Sequence, residues 1–253
     1  MNVSALRLAT SAPTPTPTPT PFTLWRVDLD QPVAAASHAS LSAGELARAA
    51  RFVFARDRQR YIAAHAALRQ VLAQHLADAG YAAPVGEPLA FVAGRFGKPA
   101  LAVAAGLHFN LSHSHGTGLV AVSQDSELGV DVEQLRPMTD AVAMAAAYFT
   151  PAEQSALVAC EPGAARDRAF LTCWTRKEAC LKALGIGLYL ATRGFEVGVL
   201  PSAQVVEIAT PEGIEHLHLH SFADGDLLGA LALRCASSRS HHAGAPTPAE
   251  VQA

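Results

Sequence analysis

Hydrophobic and polar positions alternate along much of this chain, and elsewhere the hydrophobic ones recur at helical spacing. After Gly129, Val130 and Val132 alternate with Asp131 and Glu133. Successive strand side chains point to opposite faces, so this segment is a predicted strand whose two carboxylates share one face, about 6–7 Å apart. Leu171, Trp174, Glu178 and Leu181 recur at helical spacing within a predicted helix over residues 166–184, which Gly185 and Gly187 end. Glu178 therefore sits on or beside the apolar stripe, and Lys182 lies one turn further along that side. Further strands are predicted over residues 22–29, 89–92, 118–123, 195–200, 204–208, 215–222 and 227–233. Ser42 with Glu45, and Thr150-Pro151 with Glu153, are helix-start signatures. A further helix runs through Tyr61, His65, Leu68 and Leu72, and another through Met144 to Tyr148. Residues 94–101 read as a loop, and the polar run over residues 108–116 reads as a loop at the edge of the next strand.

Composition narrows the class. Half of the 253 residues are hydrophobic, enough for a sizeable core. The net charge of −3 argues against a nucleic-acid binder that depends on a broad basic surface. No run approaches the roughly 18–20 apolar residues of a membrane span. Cys160, Cys173, Cys180 and Cys235 form no Cys-x-x-Cys pair. Cys173 and Cys180 share one face of the predicted helix as small core residues, about 10 Å apart and too far for a bridge. Reduced thiols and the absence of a secretory pattern make the cytoplasm the expected location. Residues 1–21, with a Pro-Thr alternation from Pro13 to Pro21, are expected to be a disordered extension, and residues 236–253 a disordered tail. His216, His218 and His220 share a strand face that reads as wet rather than metal-binding. Asp125 and Glu127 read as solvated turn acids.

Candidate chemistry enters with the carboxylates. A carboxylate on an inward face is costly unless it is paired, hydrogen-bonded or bound to a cation. Asp131, Glu133 and Glu178, converging from a strand and a helix, would suit Mg²⁺, a hard cation that takes oxygen ligands and shares its shell with phosphate. Each piece also has a plainer reading, a half-buried strand with a wet face and a solvated helix face; their combination raises the metal reading.

Four motifs stand in order. They are Gly97-Lys98-Pro99, then Phe109-Asn110-Leu111-Ser112-His113-Ser114, then Gly129-Val130-Asp131-Val132-Glu133, then Trp174-x-x-Lys177-Glu178-x-x-x-Lys182-x-x-Gly185-x-Gly187. Together, over roughly residues 41–235, they resemble the 4′-phosphopantetheinyl transferases, and within them the long, single-chain, surfactin-type branch.

The resemblance implies an α+β fold of two similar halves related by a pseudo-twofold axis, with the active site in the cleft between them. The expected divisions are residues 22–128, an N-terminal half that binds coenzyme A, and residues 129–235, a C-terminal half with the metal and catalytic residues. It implies transfer of 4′-phosphopantetheine from coenzyme A to a serine of an apo acyl or peptidyl carrier protein, by a monomer that needs no nucleic acid or membrane. Mg²⁺ on Asp131, Glu133 and Glu178 would neutralise the pyrophosphate. Glu178, directly or through a metal-bound water, would take the serine proton, and Lys182 would stabilise the leaving group. Arg48, Arg60, Lys98, Pro99, Ser112 and His113 would hold coenzyme A, with Lys177 in support. Glu45 departs from the pattern, because a lysine is often found at its place. The rival readings are another Mg²⁺-dependent phosphoryl enzyme that uses water, and a non-catalytic relative that binds coenzyme A or a carrier.

Overall fold

Two four-stranded antiparallel sheets, each backed by one long helix, carry the chain. The structure is a computed structural model that describes residues 2–6, 22–81, 87–124 and 126–235. In chain order its main elements are β1 (Asn2–Leu6), β2 (Phe22–Asp28), α1 (Ala35–Ala39), α2 (Ala43–Ala49), α3 (Ala55–Asp78), β3 (Phe91–Ala93), β4 (Pro99–Leu101), β5 (Leu107–Ser114), β6 (Thr117–Gln124) and β7 (Leu128–Gln134). There follow α4 (Ala141–Tyr148), α5 (Pro151–Ala159), α6 (Ala164–Leu184), β8 (Ala203–Thr210), β9 (Gly213–Asp224) and β10 (Leu227–Arg234). The first sheet has the order β1-β2-β6-β5 and the second β7-β10-β9-β8. This is the α+β architecture of two similar halves.

Strand alternation sorts side chains into three apolar layers. Val27, Val120, Val122 and Phe109 pack under the alanine-rich face of α3, against Ala63, Ala64, Ala67 and Leu72. Leu24, Leu119 and Ala121 point the other way and meet Val130, Val132, Leu231 and Leu233, joining the two sheets. On the far face of the second sheet, Val206, Leu217, Leu219, Ala230 and Ala232 pack against α6. Each side chain at period two is thus assigned to one of two cores. Gly129, Asp131 and Glu133 of β7 are left facing α6.

Both helix-start signatures form. In each, the cap hydroxyl (Ser42 or Thr150) accepts from the backbone N–H three residues on, and the glutamate there accepts from the cap's N–H. Helix α6 ends where expected, with Gly185 at φ 68. Cys173 and Cys180 are buried free thiols, and burial pushes Cys180 up to about 12. Among the described residues, no helix is long and apolar enough to cross a membrane.

Four expectations need correction. Asn2–Leu6 is not part of a disordered extension but a strand antiparallel to β2; residues 7–21 and the tail 236–253 lie outside the described residues. The polar run Asn110 to Ser114 is strand, not loop, because its backbone pairs with β6 throughout. Within residues 94–101, Pro99–Leu101 pairs with Phe91–Ala93 as a small hairpin around the 94–98 turn. Residues 195–200 alternate as predicted, burying Phe195, Val197 and Val199, yet they pair with no strand among the described residues. Their backbone groups bond to charged side chains instead. Arg176 donates to the Val197 carbonyl at 2.7 Å, Lys177 to the Phe195 carbonyl at 2.7 Å, and Glu153 accepts from the Val197 N–H at 2.7 Å.

Candidate active site

The site begins at a glycine. A β-carbon on Gly129 would overlap the Ala179 carbonyl oxygen and the Ala183 amide nitrogen, so β7 crosses α6 in direct backbone contact there. The crossing spans Ala179 to Ala183, the turn that follows Glu178 and carries Lys182, and lies two residues before Asp131 on the strand. Close approach of backbones is a use only glycine serves.

Lys182 Nζ donates to Asp131 Oδ1 at 2.7 Å, and Ser112 Oγ donates to the same oxygen at 2.9 Å. Asp131 Oδ2 is buried and has no hydrogen-bond partner among the described residues. Burial raises the Asp131 carboxyl above its ordinary value, against the lowering by Lys182 and Ser112. Glu178 is half-buried, and its carboxylate makes no hydrogen bond among the described residues. Burial also raises its carboxyl, as does the charge of Asp131, and then that of Glu133. Glu133 accepts from Ser114 Oγ at 2.9 Å and from Arg136 at 2.7 Å. Three acids therefore crowd one face, two of them harder to ionise than in water.

The strand β5 supplies the other wall. Asn110, Ser112 and Ser114 stand at period two and all reach β7. Asn110 Oδ1 accepts from the Val130 N–H at 2.9 Å, and Ser114 Oγ accepts from the Gln134 N–H at 3.1 Å. These strands belong to different sheets, so side chains perform the bonding that a ladder would otherwise provide. The alternation was visible in the sequence, but the strand it must face was not. His113 has the opposite parity and is exposed. Desolvation by the surrounding protein holds its imidazole below the ordinary value, and the charges of Lys182, His65 and Arg60 act in the same direction, against that of Asp131.

The structure thus brings together Asp131, Glu133, Glu178, Lys182 and Ser112, with His113 on the other face of β5. It separates Lys177 from them. That residue is 1% exposed in the core, paired with Glu153 at 2.8 Å, and it also donates to the Thr192 carbonyl. The support role expected for it at coenzyme A is corrected accordingly: no ligand in the cleft can touch it. Cys173 and Cys180 mark the core face of α6, and Lys177 lies between them at helical spacing, so this placement was implicit in the sequence. Glu153, read there only as a cap partner, was missed as a core acid.

Lys98 and Pro99 line a cleft of about 250 Å³ with Arg95, Phe96, Gly185 and Ile186, just beyond Lys182 on the helix end. Lys98 pairs with Glu127 and donates to the Leu128 carbonyl at 2.9 Å. Its chain lies against Gly185, where a β-carbon would meet it at 3.2 Å. Glu127 is therefore no solvated turn acid. Burial opposes its charge, but His108 and Lys98 outweigh this and hold it at about 2. Arg60 is paired with Asp30 at 2.6 Å, while Arg48 is exposed over the Tyr61 ring. Glu45 binds His65 at 3.1 Å and Arg69 at 2.8 Å besides capping α2.

For a divalent cation the donor chemistry fits. The three acids are hard oxygen donors and, among the described residues, Asp131 Oδ2 is an orphaned buried oxygen and the Glu178 carboxylate has no donor. As placed, however, no three His, Cys, Asp or Glu side chains among the described residues stand close enough together to hold a metal ion. Lys182 is the cation that answers their charge here.

Comparison with known proteins gives the following. Residues 127–232 match the family model of the 4′-phosphopantetheinyl transferase superfamily. The chain is 39% identical over 170 residues to the 4′-phosphopantetheinyl transferase HetI of Nostoc sp., spanning 65% of this chain and 69% of that one. It is 29% identical over 203 residues to a 4′-phosphopantetheinyl transferase of Bacillus subtilis, spanning 79% and 86%. With AcpT of Salmonella typhimurium, also a 4′-phosphopantetheinyl transferase, it shares 40% identity over 94 residues, 37% of this chain and 48% of that one.

Proposed function

We propose that this chain, which belongs to the 4′-phosphopantetheinyl transferase superfamily, moves the 4′-phosphopantetheine arm of coenzyme A onto a serine hydroxyl of an apo acyl or peptidyl carrier protein. The observation that carries the reading is the open cluster of Asp131, Glu178 and Lys182 around the Gly129 crossing, with one buried carboxylate oxygen still unpartnered. Such a cluster suits phosphoryl transfer, where alignment and charge stabilisation do most of the catalysis.

In this reading the serine oxygen attacks the phosphorus that bears the pantetheine arm. The new P–O bond forms as the bridging P–O bond breaks, and the electron pair leaves with 3′,5′-ADP. Glu178, raised by burial and free of internal donors, takes the serine proton. Lys182 swings its charge from Asp131 towards the departing phosphate. Asp131, Glu133 and Glu178 would hold Mg²⁺, which supplies neutralisation of the pyrophosphate when bound. Arg48, Ser112 and His113 take coenzyme A along the mouth, and Lys98 with Pro99 frames the cleft beyond Lys182. Arg60 can join them only by giving up Asp30. The protein acts as a monomer in the cytoplasm, a reading that fits four free cysteines.

The test is intact-mass analysis of an apo carrier protein incubated with this protein, coenzyme A and Mg²⁺, with a chelator control. Gain of one phosphopantetheine mass, lost with the chelator, is expected. A carrier that stays unmodified across fatty-acid, polyketide and peptide types refutes the transferase reading.

A further inference from the structure

The turn joining α2 to α3 carries an unusual surface. Val53 is 86% exposed and Phe54 68%, and among the described residues they are the adjacent pair of exposed large hydrophobics. Phe96 and Tyr189 also meet, with ring centroids 5.3 Å apart, but Phe96 is only 39% exposed; Val92 and Ile214 have no neighbour of this kind in sequence, which is ordinary for a surface. Arg51, Arg56 and Arg58 flank the pair and are exposed. Asp57, 3.8 Å from Arg56, is the one acid within residues 51–58. A chain of net charge −3 therefore concentrates positive charge around its most exposed apolar pair.

This patch adjoins the site. Phe52 packs on Tyr61 with ring centroids 5.3 Å apart, and Tyr61 packs on His65 at 4.1 Å. The Arg48 guanidinium, which the transferase reading places on coenzyme A, lies over the same Tyr61 ring at 5.9 Å. A file of rings thus leads from the turn to the residue that this reading assigns to coenzyme A. A small substrate needs only the cleft. A protein acceptor must cover the rim to bring its serine to Glu178, and its surface then meets this turn.

We infer that residues 51–58 are a docking surface for the acceptor protein, and that they receive an acidic face of it with an apolar side chain at its centre, seated on Val53 and Phe54. The inference rests on the transferase reading above. Exposed arginines around the pair supply steering and register, and the apolar pair supplies the water-excluding contact. An anionic membrane offers a similar charge, but it has no reason to lie beside the mouth of a cleft.

The experiment uses the full chain and two variants outside the catalytic cluster, Val53→Asp/Phe54→Asp and Arg51→Glu/Arg56→Glu. The KM for the apo carrier should rise about tenfold or more, while kcat and the KM for coenzyme A hold. Carriers in which acidic residues near the serine are changed to lysine should restore the arginine variant. An unchanged carrier KM in both variants overturns the inference. So does loss of binding to phosphatidylserine vesicles with the carrier KM intact, which would assign the patch to a membrane. If the parent protein modifies no carrier, the transferase reading has failed; direct carrier binding, compared between parent and variants, then decides the docking surface by itself. Thermal unfolding of each variant at the parent's temperature excludes a folding defect.

Discussion

Lys177 and Lys182 lie five residues apart on α6, and each holds a carboxylate at hydrogen-bonding distance, 2.8 Å from Glu153 and 2.7 Å from Asp131. The first pair is closed. Both partners are 1% exposed, Glu153 also accepts from the N–H groups of Thr150, Val197 and Gly198, and Lys177 also donates to two carbonyls. The second pair is open: the Lys182 side chain is 29% exposed, and Asp131 Oδ2 has no partner. The titration directions agree. Burial pushes both acids up, but Lys177 and the backbone donors outweigh it at Glu153 and leave that carboxyl lowered. At Asp131 burial wins and the carboxyl is raised. A completed network holds structure together, and an incomplete one keeps capacity for a ligand.

The sharpest way to test that contrast is to break the closed pair. Lys177→Ala leaves Glu153 buried without its cation and should cost about 3–5 kcal/mol of stability, read from denaturant unfolding. The same change would also release the 192–198 segment. Lys177→Met with Glu153→Leu, which removes both charges, should recover a large part of that loss. A Lys177→Ala protein as stable as the parent would refute the structural role.

Breaking the open pair should move activity instead. Lys182→Ala should lower kcat by about 3–4 kcal/mol of barrier, two to three orders of magnitude, in the carrier-modification assay. Its unfolding midpoint should stay close to the parent's, since Lys182 is partly exposed and Asp131 can protonate. If activity survives and stability collapses, the two pairs have been assigned the wrong way round.

The smallest effect separates them by pH. Glu153 has a folded-state value below its ordinary 4.5, so its ionised form favours the folded protein. That contribution is fully present above about pH 4.5 and is lost as pH falls through the lower folded value. Glu153→Gln should therefore flatten the acid side of the stability curve, measured by unfolding at stepwise lower pH. An unchanged slope would mean that the pair contributes no pH-dependent stability.

Much of this was legible in the residues. The motif strand and helix, both capping boxes, the Gly185 terminus and the core cysteines follow from local periodicity and cap chemistry, which act within a few residues. Other features depended on distant partners. Residues 195–200 have a strand's alternation, but Arg176, Lys177 and Glu153 reach their backbone groups first. Asn110, Ser112 and Ser114 look like loop residues because nothing nearby shows that β7 lies across from them. Lys98 and Arg60 look free for phosphate until Glu127 and Asp30 are seen beside them.

By itself, then, the sequence determined which side chains share a face and which residue types could carry phosphoryl chemistry, because alternation and helical phase are properties of adjacent residues. Only the tertiary structure decided which charges are satisfied and which remain open. That depends on partners 15 to 85 positions away along the chain, as with Lys177 and the Thr192 carbonyl or Lys98 and the Ala183 carbonyl. The contact that sets the site, Gly129 against the backbone of α6, is likewise a matter of close packing between distant segments, for which a glycine in a strand gives only a hint.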